Sequence, residues 1–272
     1  MEQAGDSDNE GDSMIPDEEM YQEDAEEWTG ADEPEDDQAT HGLTVEQMQA
    51  LHKIIDKNSD GKVSMEEAKK FAFNIQEETA RWETPEQVKD WPSAVEGKYT
   101  SQEILRGPWN GEEPEGLDPD EEEHHDVKFK AADENNDGLL DKEELPVYFY
   151  PEIRDHSLTA AAAYQLKWLD LDNDTQLTVQ ELVNTDDAEV GADALEDFKS
   201  LDRDGNGFLN VEEFKAYHSG WHWTDKDLKS LFVAADDDDD KHITASEFQD
   251  AHDTMDNQAF YFLGWWAQHH EL

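Results

Sequence analysis

From Leu43 onward the chain alternates short amphipathic runs with twelve-residue stretches rich in Asp, Asn and Gly. Each stretch is framed in the same way. Four residues before it stands Val88, Phe129, Leu166, Phe198 or Phe232, with His52 the one polar exception. Directly after its twelfth residue stands Ala68, Ile104, Leu145, Leu182, Phe214 or Phe248. Apolar residues at helical spacing on both flanks predict a helix, a loop and a second helix for each copy. A further apolar residue recurs at the eighth position of every stretch: Val63, Tyr99, Leu140, Leu177, Leu209 and Ile243. One apolar side chain in an otherwise polar loop predicts that two loops lie side by side, joined there by a short antiparallel bridge. The stretches begin at Asp56, Pro92, Asp133, Asp170, Asp202 and Asp236. Taken as consecutive pairs (56 with 92, 133 with 170, 202 with 236), the starts are 36, 37 and 34 residues apart. The expectation is an all-α chain of six helix-loop-helix units in three pairs, over residues 43–107, 122–183 and 193–252, with acidic linkers at 108–121 and 184–192.

Residues 1–42 break this pattern. They hold no Lys or Arg, 17 of the first 40 are acidic, and the apolar residues have no period, which predicts a disordered, solvated tail. The whole chain carries 72 Asp and Glu against 20 Lys and Arg, a formal net charge of −52. Such a charge repels nucleic acid and anionic membranes, attracts cations, and opposes compaction unless a counter-cation joins the fold. With no Cys, disulfides, thiolate metal sites and thiol catalysis are excluded. No apolar run reaches membrane-spanning length, and Met1 leads into acidic residues with no leader-like stretch, so neither a transmembrane segment nor a leader is expected within the chain.

Oxygen-rich loops of this length suit a hard cation. Calcium takes about six to eight oxygens at about 2.3–2.6 Å, which a twelve-residue loop supplies from side chains at positions 1, 3 and 5, the main-chain carbonyl at 7 and a two-oxygen Glu at 12. Gly at position 6 permits the sharp turn. This is the EF-hand scheme. The first loop fits it with Asp56, Asn58, Asp60, Gly61, the Lys62 carbonyl and Glu67. The third does so with Asp133, Asn135, Asp137, Gly138, Leu139 and Glu144, and the fifth with Asp202, Asp204, Asn206, Gly207, Phe208 and Glu213. Two loops keep the ligands and change the turn. They are Asp170, Asp172, Asp174, Gln176 and Glu181 with Thr175 at position 6, and Asp236, Asp238, Asp240, His242 and Glu247 with Lys241 there. A side chain in that left-handed turn costs about 1–2 kcal/mol, so weaker or slower binding is expected, and not loss. The stretch from Pro92 to Glu103 keeps Gly97 and Glu103, but Pro92 and Ala94 stand where oxygens belong, so it is expected to pair without metal. About five calcium ions follow.

Six such hands in an acidic chain without Cys, with Phe149-Tyr150-Pro151-Glu152 after the third, resemble the CREC group of EF-hand proteins (reticulocalbin, calumenin and relatives) over about residues 43–252. The ending His269-His270-Glu271-Leu272 is similar to the HDEL retrieval signal, a receptor-read address, with His270 in place of the acidic residue. The resemblance implies a low-affinity calcium binder of the endoplasmic reticulum or secretory-pathway lumen that acts on client proteins there.

Three functions share these loops. The leading one is that luminal buffer and calcium-dependent protein binder, expected as a monomer. A cytosolic sensor would open a Met-lined groove, yet only Met48 and Met65 fall within a hand. An extracellular mineral- or matrix-associated protein would fit the acidic tail but not the retrieval-like ending. No nucleophile or cofactor motif accompanies the His, Asp and Glu, so no enzyme is expected. The stripe Ala259, Phe262, Leu263 and Trp266 within residues 253–272 predicts a helix that either closes the groove of the last pair or meets a partner or membrane surface. Asn173-Asp174-Thr175 fits a glycosylation pattern inside a calcium loop, where glycan and metal compete, and His124-His125 reads as a solvated pair beside an acidic run.

Overall fold

The computed structural model describes residues 44–89, 91, 97–109, 118–183 and 190–251. The tail expected over 1–42, the ligand-poor start of the second loop (Pro92 and Ala94), and the aromatic run and ending expected over 253–272 lie outside them.

Each expected hand forms. Hand 1 is α1 (Val45–Ile55), a loop ending in strand β1 (Lys62–Ser64), and α2 (Met65–Val88). α2 continues for 24 residues, through Pro85, and is also the entering helix of hand 2, which exits by α3 (Ser101–Arg106). Hand 3 is α4 (Pro119–Ala132) and α5 (Leu145–Phe149), and hand 4 is α6 (Asp155–Leu169) and the single turn α7 (Val179–Leu182). Hand 5 is α8 (Ala192–Leu201) and α9 (Val211–His218). Hand 6 is α10 (Trp221–Ala235), strand β2 (His242–Thr244) and α11 (Ala245–Asp250).

The exiting helices start where they do because the loop caps them. Ser64, Thr100, Thr178, Asn210 and Thr244, at position 9 of their loops, each accept from the amide of the Glu at position 12, and that Glu returns a bond to the capping residue's backbone. Such a reciprocal box fixes two otherwise orphaned amides and stabilises a helix start by about 1 kcal/mol. In hand 3 the same place is held by Asp141, whose Oδ1 accepts the Glu144 amide at 3.1 Å.

The hands do form pairs, but with other partners than expected. β1 of hand 1 pairs antiparallel with β2 of hand 6, Val63 facing Ile243. Tyr99 of hand 2 bridges to Leu140 of hand 3, and Leu177 of hand 4 to Leu209 of hand 5. The expected partnership of loops 56 with 92, 133 with 170, and 202 with 236 is thus corrected to 1 with 6, 2 with 3, and 4 with 5. The physical reason is α2. Its 24 residues make a rod about 36 Å long, with loop 1 at one end and loop 2 at the other. Two loops can lie side by side only if the chain between them reverses. The segments 108–121 and 184–192, expected between pairs, connect the two hands of a pair.

Three cores follow these pairs. Met48, Leu51, Ile55, Phe71 and Ile75 of hand 1 pack with Leu231, Phe232, Ile243 and Phe248 of hand 6. Ala80 and Ile104 pack with Phe129, Leu140, Leu145 and Val147. Leu166, Leu177 and Leu182 pack with Phe198, Leu209 and Phe214. His52, the polar exception in the sequence pattern, is buried in the first core, its Nε2 3.0 Å from the Ile243 carbonyl across the pair. His125 is buried too, and not solvated as expected. Its ring nitrogens lie 2.8 Å from the Ser101 and Tyr148 hydroxyls, tying hand 2 to hand 3.

Candidate metal centres

The five loops that begin with Asp turn on two left-handed residues each. Position 6 has positive φ throughout: Gly61 (86°), Gly97 (80°), Gly138 (79°) and Gly207 (85°), but also Thr175 (70°) and Lys241 (67°), as the sequence expectation required. The second is position 4, which sequence reasoning missed: Ser59, Asn136, Asn173, Gly205 and Asp239 have φ between 57° and 71°. The signal was present, since Asn, Asp and Gly tolerate this region best.

The position-1 aspartate holds this turn. In every loop that begins with Asp its Oδ2 accepts the position-6 amide: from Gly61, Gly138 and Gly207 at 2.9 Å, from Thr175 at 2.7 Å and from Lys241 at 2.8 Å. Its Oδ1 and the position-3 oxygen both accept the position-5 amide, so positions 1 and 3 are drawn to one point; Asp137 donates to Asp133 at 3.1 Å and to Asn135 at 2.8 Å. The position-12 Glu joins them from the far side, its Oε1 accepting from Asn58 (3.3 Å), Asn135 (3.2 Å), Leu171 (3.0 Å), Arg203 (2.9 Å) and Asp237 (3.2 Å).

As a result, carboxylate oxygens of Asp170, Asp172 and Glu181 lie within 4.8 Å of one another, as do those of Asp202, Asp204 and Glu213, and of Asp236, Asp238 and Glu247. Loops 1 and 3 put the amides Asn58 and Asn135 at position 3, so their trio has two carboxylates and an amide oxygen. Position 5 stands apart from these trios: Asp60, Asp137, Asp174, Asn206 and Asp240 each accept the position-7 amide, of Lys62, Leu139, Gln176, Phe208 and His242 respectively.

These groups fit a divalent cation. Asp56, Glu144, Asp170, Glu181 and Glu213 are only 5–8% exposed, and among the described residues none has a basic partner. Buried carboxylates crowded together without a counter-charge are costly, and a hard cation among their oxygens removes that cost. Burial, with the carboxylates of Asp174, Glu181 and Asp170 nearby, pushes the Asp172 carboxyl up from its ordinary value. Hydrogen bonds from Ser64 hold Glu67 below its ordinary value, and those from Thr244 do the same for Glu247. In loop 2, Glu103 accepts from Thr100, at 2.8 and 2.9 Å.

The comparisons with known proteins meet these loops. The family described as EF-hand domain pair matches residues 193–252, and the family described as EF hand matches 53–72 and 127–145. The first match takes hands 5 and 6 as consecutive in sequence, whereas the bridging hydrogen bonds join 5 to 4 and 6 to 1. Reticulocalbin-3 of Rattus norvegicus is 27% identical, with 60% of this chain and 58% of the relative covered, so the chain spans less than two thirds of that relative's length. Among solved structures, calcium-loaded apo-aequorin from Aequorea victoria is 14% identical, covering 66% of this chain and 90% of its own, at a TM-score of 0.26. The apoAequorin complex with (S)-HM-daCTZ is 15% identical, covering 65% and 83%, at a TM-score of 0.23.

Proposed function

We propose that this chain, a calcium-binding EF-hand protein similar to reticulocalbin-3, is a low-affinity, multi-site calcium buffer of a secretory-pathway lumen that engages partner proteins in its calcium-loaded form. The observation that carries the reading is the set of buried position-1 and position-12 carboxylates without basic partners. Five ions, held by the ligands at positions 1, 3, 5, 7 and 12 of loops 1, 3, 4, 5 and 6, would move the formal charge only from −52 to −42, leaving acidity for further loosely held calcium. Side chains at the left-handed Thr175 and Lys241 argue for weak sites, and affinities of about 10⁻⁴–10⁻³ M suit a calcium-rich compartment.

A sensor reading has less support. The methionines among the described residues are Met48, buried in the first core, and Met65 at its edge, which makes no Met-lined groove. No reaction is part of the proposed function.

Calorimetric calcium titration beside circular dichroism, at physiological salt with magnesium present, tests the reading. About five sites in the high-micromolar to millimolar range, with a large gain of order, are expected. Sub-micromolar sites with little change in helix content overturn the buffer reading in favour of a cytosolic sensor.

A further inference from the structure

Two of the three loop pairs share a contact that ligation does not require. Lys98, at position 7 of the ligand-poor loop 2, reaches across the bridge, and its Nζ lies 2.7 Å from Oδ2 of Asp137 at position 5 of loop 3. In pair 1–6 the same position of loop 1 holds Lys62, whose ammonium pairs with Oδ2 of Asp240 at position 5 of loop 6. The register explains the repetition. Position 8 of one loop faces position 8 of the other, and Lys62 stands opposite Thr244, from where a four-carbon stem spans to the position-5 carboxylate. Pair 4–5 has Gln176 and Phe208 at position 7 and so carries no such cation.

The other oxygen of each carboxylate takes part in its own loop's turn. Oδ1 of Asp137 accepts the Leu139 amide at 2.9 Å, and Oδ1 of Asp240 accepts that of His242 at 2.9 Å. Oδ1 keeps a lone pair for a metal, as at positions 1 and 3, while the ammonium sits on Oδ2 of the same carboxylate. A calcium ion entering loop 3 or loop 6 must displace the lysine or share the carboxylate with it, and two cations that close repel.

We infer that Lys62 and Lys98 are tethered counter-cations that compete with calcium for the position-5 carboxylates of the loops they face, so that loop 2, short of ligands itself, sets the affinity of loop 3. The inference rests on the calcium-binding reading. Without calcium the lysines neutralise part of the opposing loop; with calcium they oppose its entry. Hand 2 thereby acts on calcium without holding any.

The test is a calcium titration of the full chain by NMR, read at the amides of Gly138 and Gly207, each of which donates to the position-1 aspartate of its own loop at 2.9 Å. Lys98→Met removes the charge with little change of shape, and Lys98→Arg keeps it. Arg81→Met removes a charge from the middle of α2, where Arg81 pairs with Glu77. In Lys98→Met the Gly138 midpoint is expected at about two- to fivefold lower calcium, the strength of an exposed ion pair, with Gly207 unmoved. Lys98→Arg should match the unaltered chain, and calcium-free Lys98→Met should melt at a lower temperature. A Gly138 midpoint that stays or rises in Lys98→Met overturns the inference, as does an equal shift in Arg81→Met. If Gly138 ignores calcium in the unaltered chain, the calcium reading itself fails.

Discussion

Ile243→Ala separates the observed partner of loop 6, loop 1, from the expected one, loop 5. Ile243 is 1% exposed, faces Val63 across the β1–β2 bridge, and packs in the core shared by hands 1 and 6. Truncating a buried Ile to Ala costs about 2–5 kcal/mol, the spread reflecting how far the cavity collapses. Here backbone strands hold the site on both sides and limit collapse, so about 3 kcal/mol is expected. If that loss falls on the folded, calcium-loaded pair and is divided over its two loops, each site weakens about tenfold. The assay is again a calcium titration followed by NMR, at Gly61 for loop 1 and Gly207 for loop 5. The Gly61 midpoint should rise about tenfold while Gly207 holds still, although loop 1 lies far away in sequence and loop 5 close by. A shift of Gly207 with Gly61 unmoved refutes the pairing. A cycle with Val63→Ala adds a second criterion, since two side chains in contact should couple by about 0.5–3 kcal/mol.

Position 6 offers a gain of function: Thr175→Gly and Lys241→Gly relieve left-handed φ values of 70° and 67°, so each should tighten its own loop by up to about 1 kcal/mol in calorimetry. For pH, the carboxyls of Glu67 and Glu247 lie below the ordinary 4.5, so their stabilisation is present above that value and is lost as pH falls through the lowered ones. Thermal melting in chelator from pH 7 to pH 3 should show stability falling below about pH 4.5. Asp172, raised from 3.8, works in the opposite sense, because its protonation at falling pH relieves repulsion in loop 4; its removal by Asp172→Asn should therefore steepen the acid loss.

The loops were legible in the sequence because each position answers a separate chemical demand. An oxygen at 1, a turn at 6 and a clamp at 12 cannot be exchanged for one another, so Asp202, Gly207 and Glu213 announce themselves. Position 8 carries no such information. Val63, Tyr99, Leu140, Leu177, Leu209 and Ile243 are all apolar and any two could face each other, so the bridge was legible and its partners were not. What pointed to the partners was the chain between loops. Residues 68–84 hold no Gly or Pro and continue as one helix, while 107–119 hold three of each and can reverse. The roles of His52, His125, Lys62 and Lys98 were hidden for the same reason. Each contacts a residue placed beside it only by the pairing.

Pairing by nearness along the chain rests on a weaker term than it suggests. Closing a loop costs about (3/2)RT ln n, so bringing Val63 to Ile243, 180 residues apart, instead of pairing loops 34 residues apart costs only about 1.5 kcal/mol more. Burying one Leu or Phe side chain is worth about 1.5–3 kcal/mol. The core of hands 1 and 6 holds Met48, Leu51, Phe71, Leu231, Phe232 and Phe248 together, enough to outweigh that difference several times over. Against a rod such as α2, which keeps loops 1 and 2 apart whatever their sequence spacing, the entropic preference for neighbours has little to set, and the last hand becomes the partner of the first.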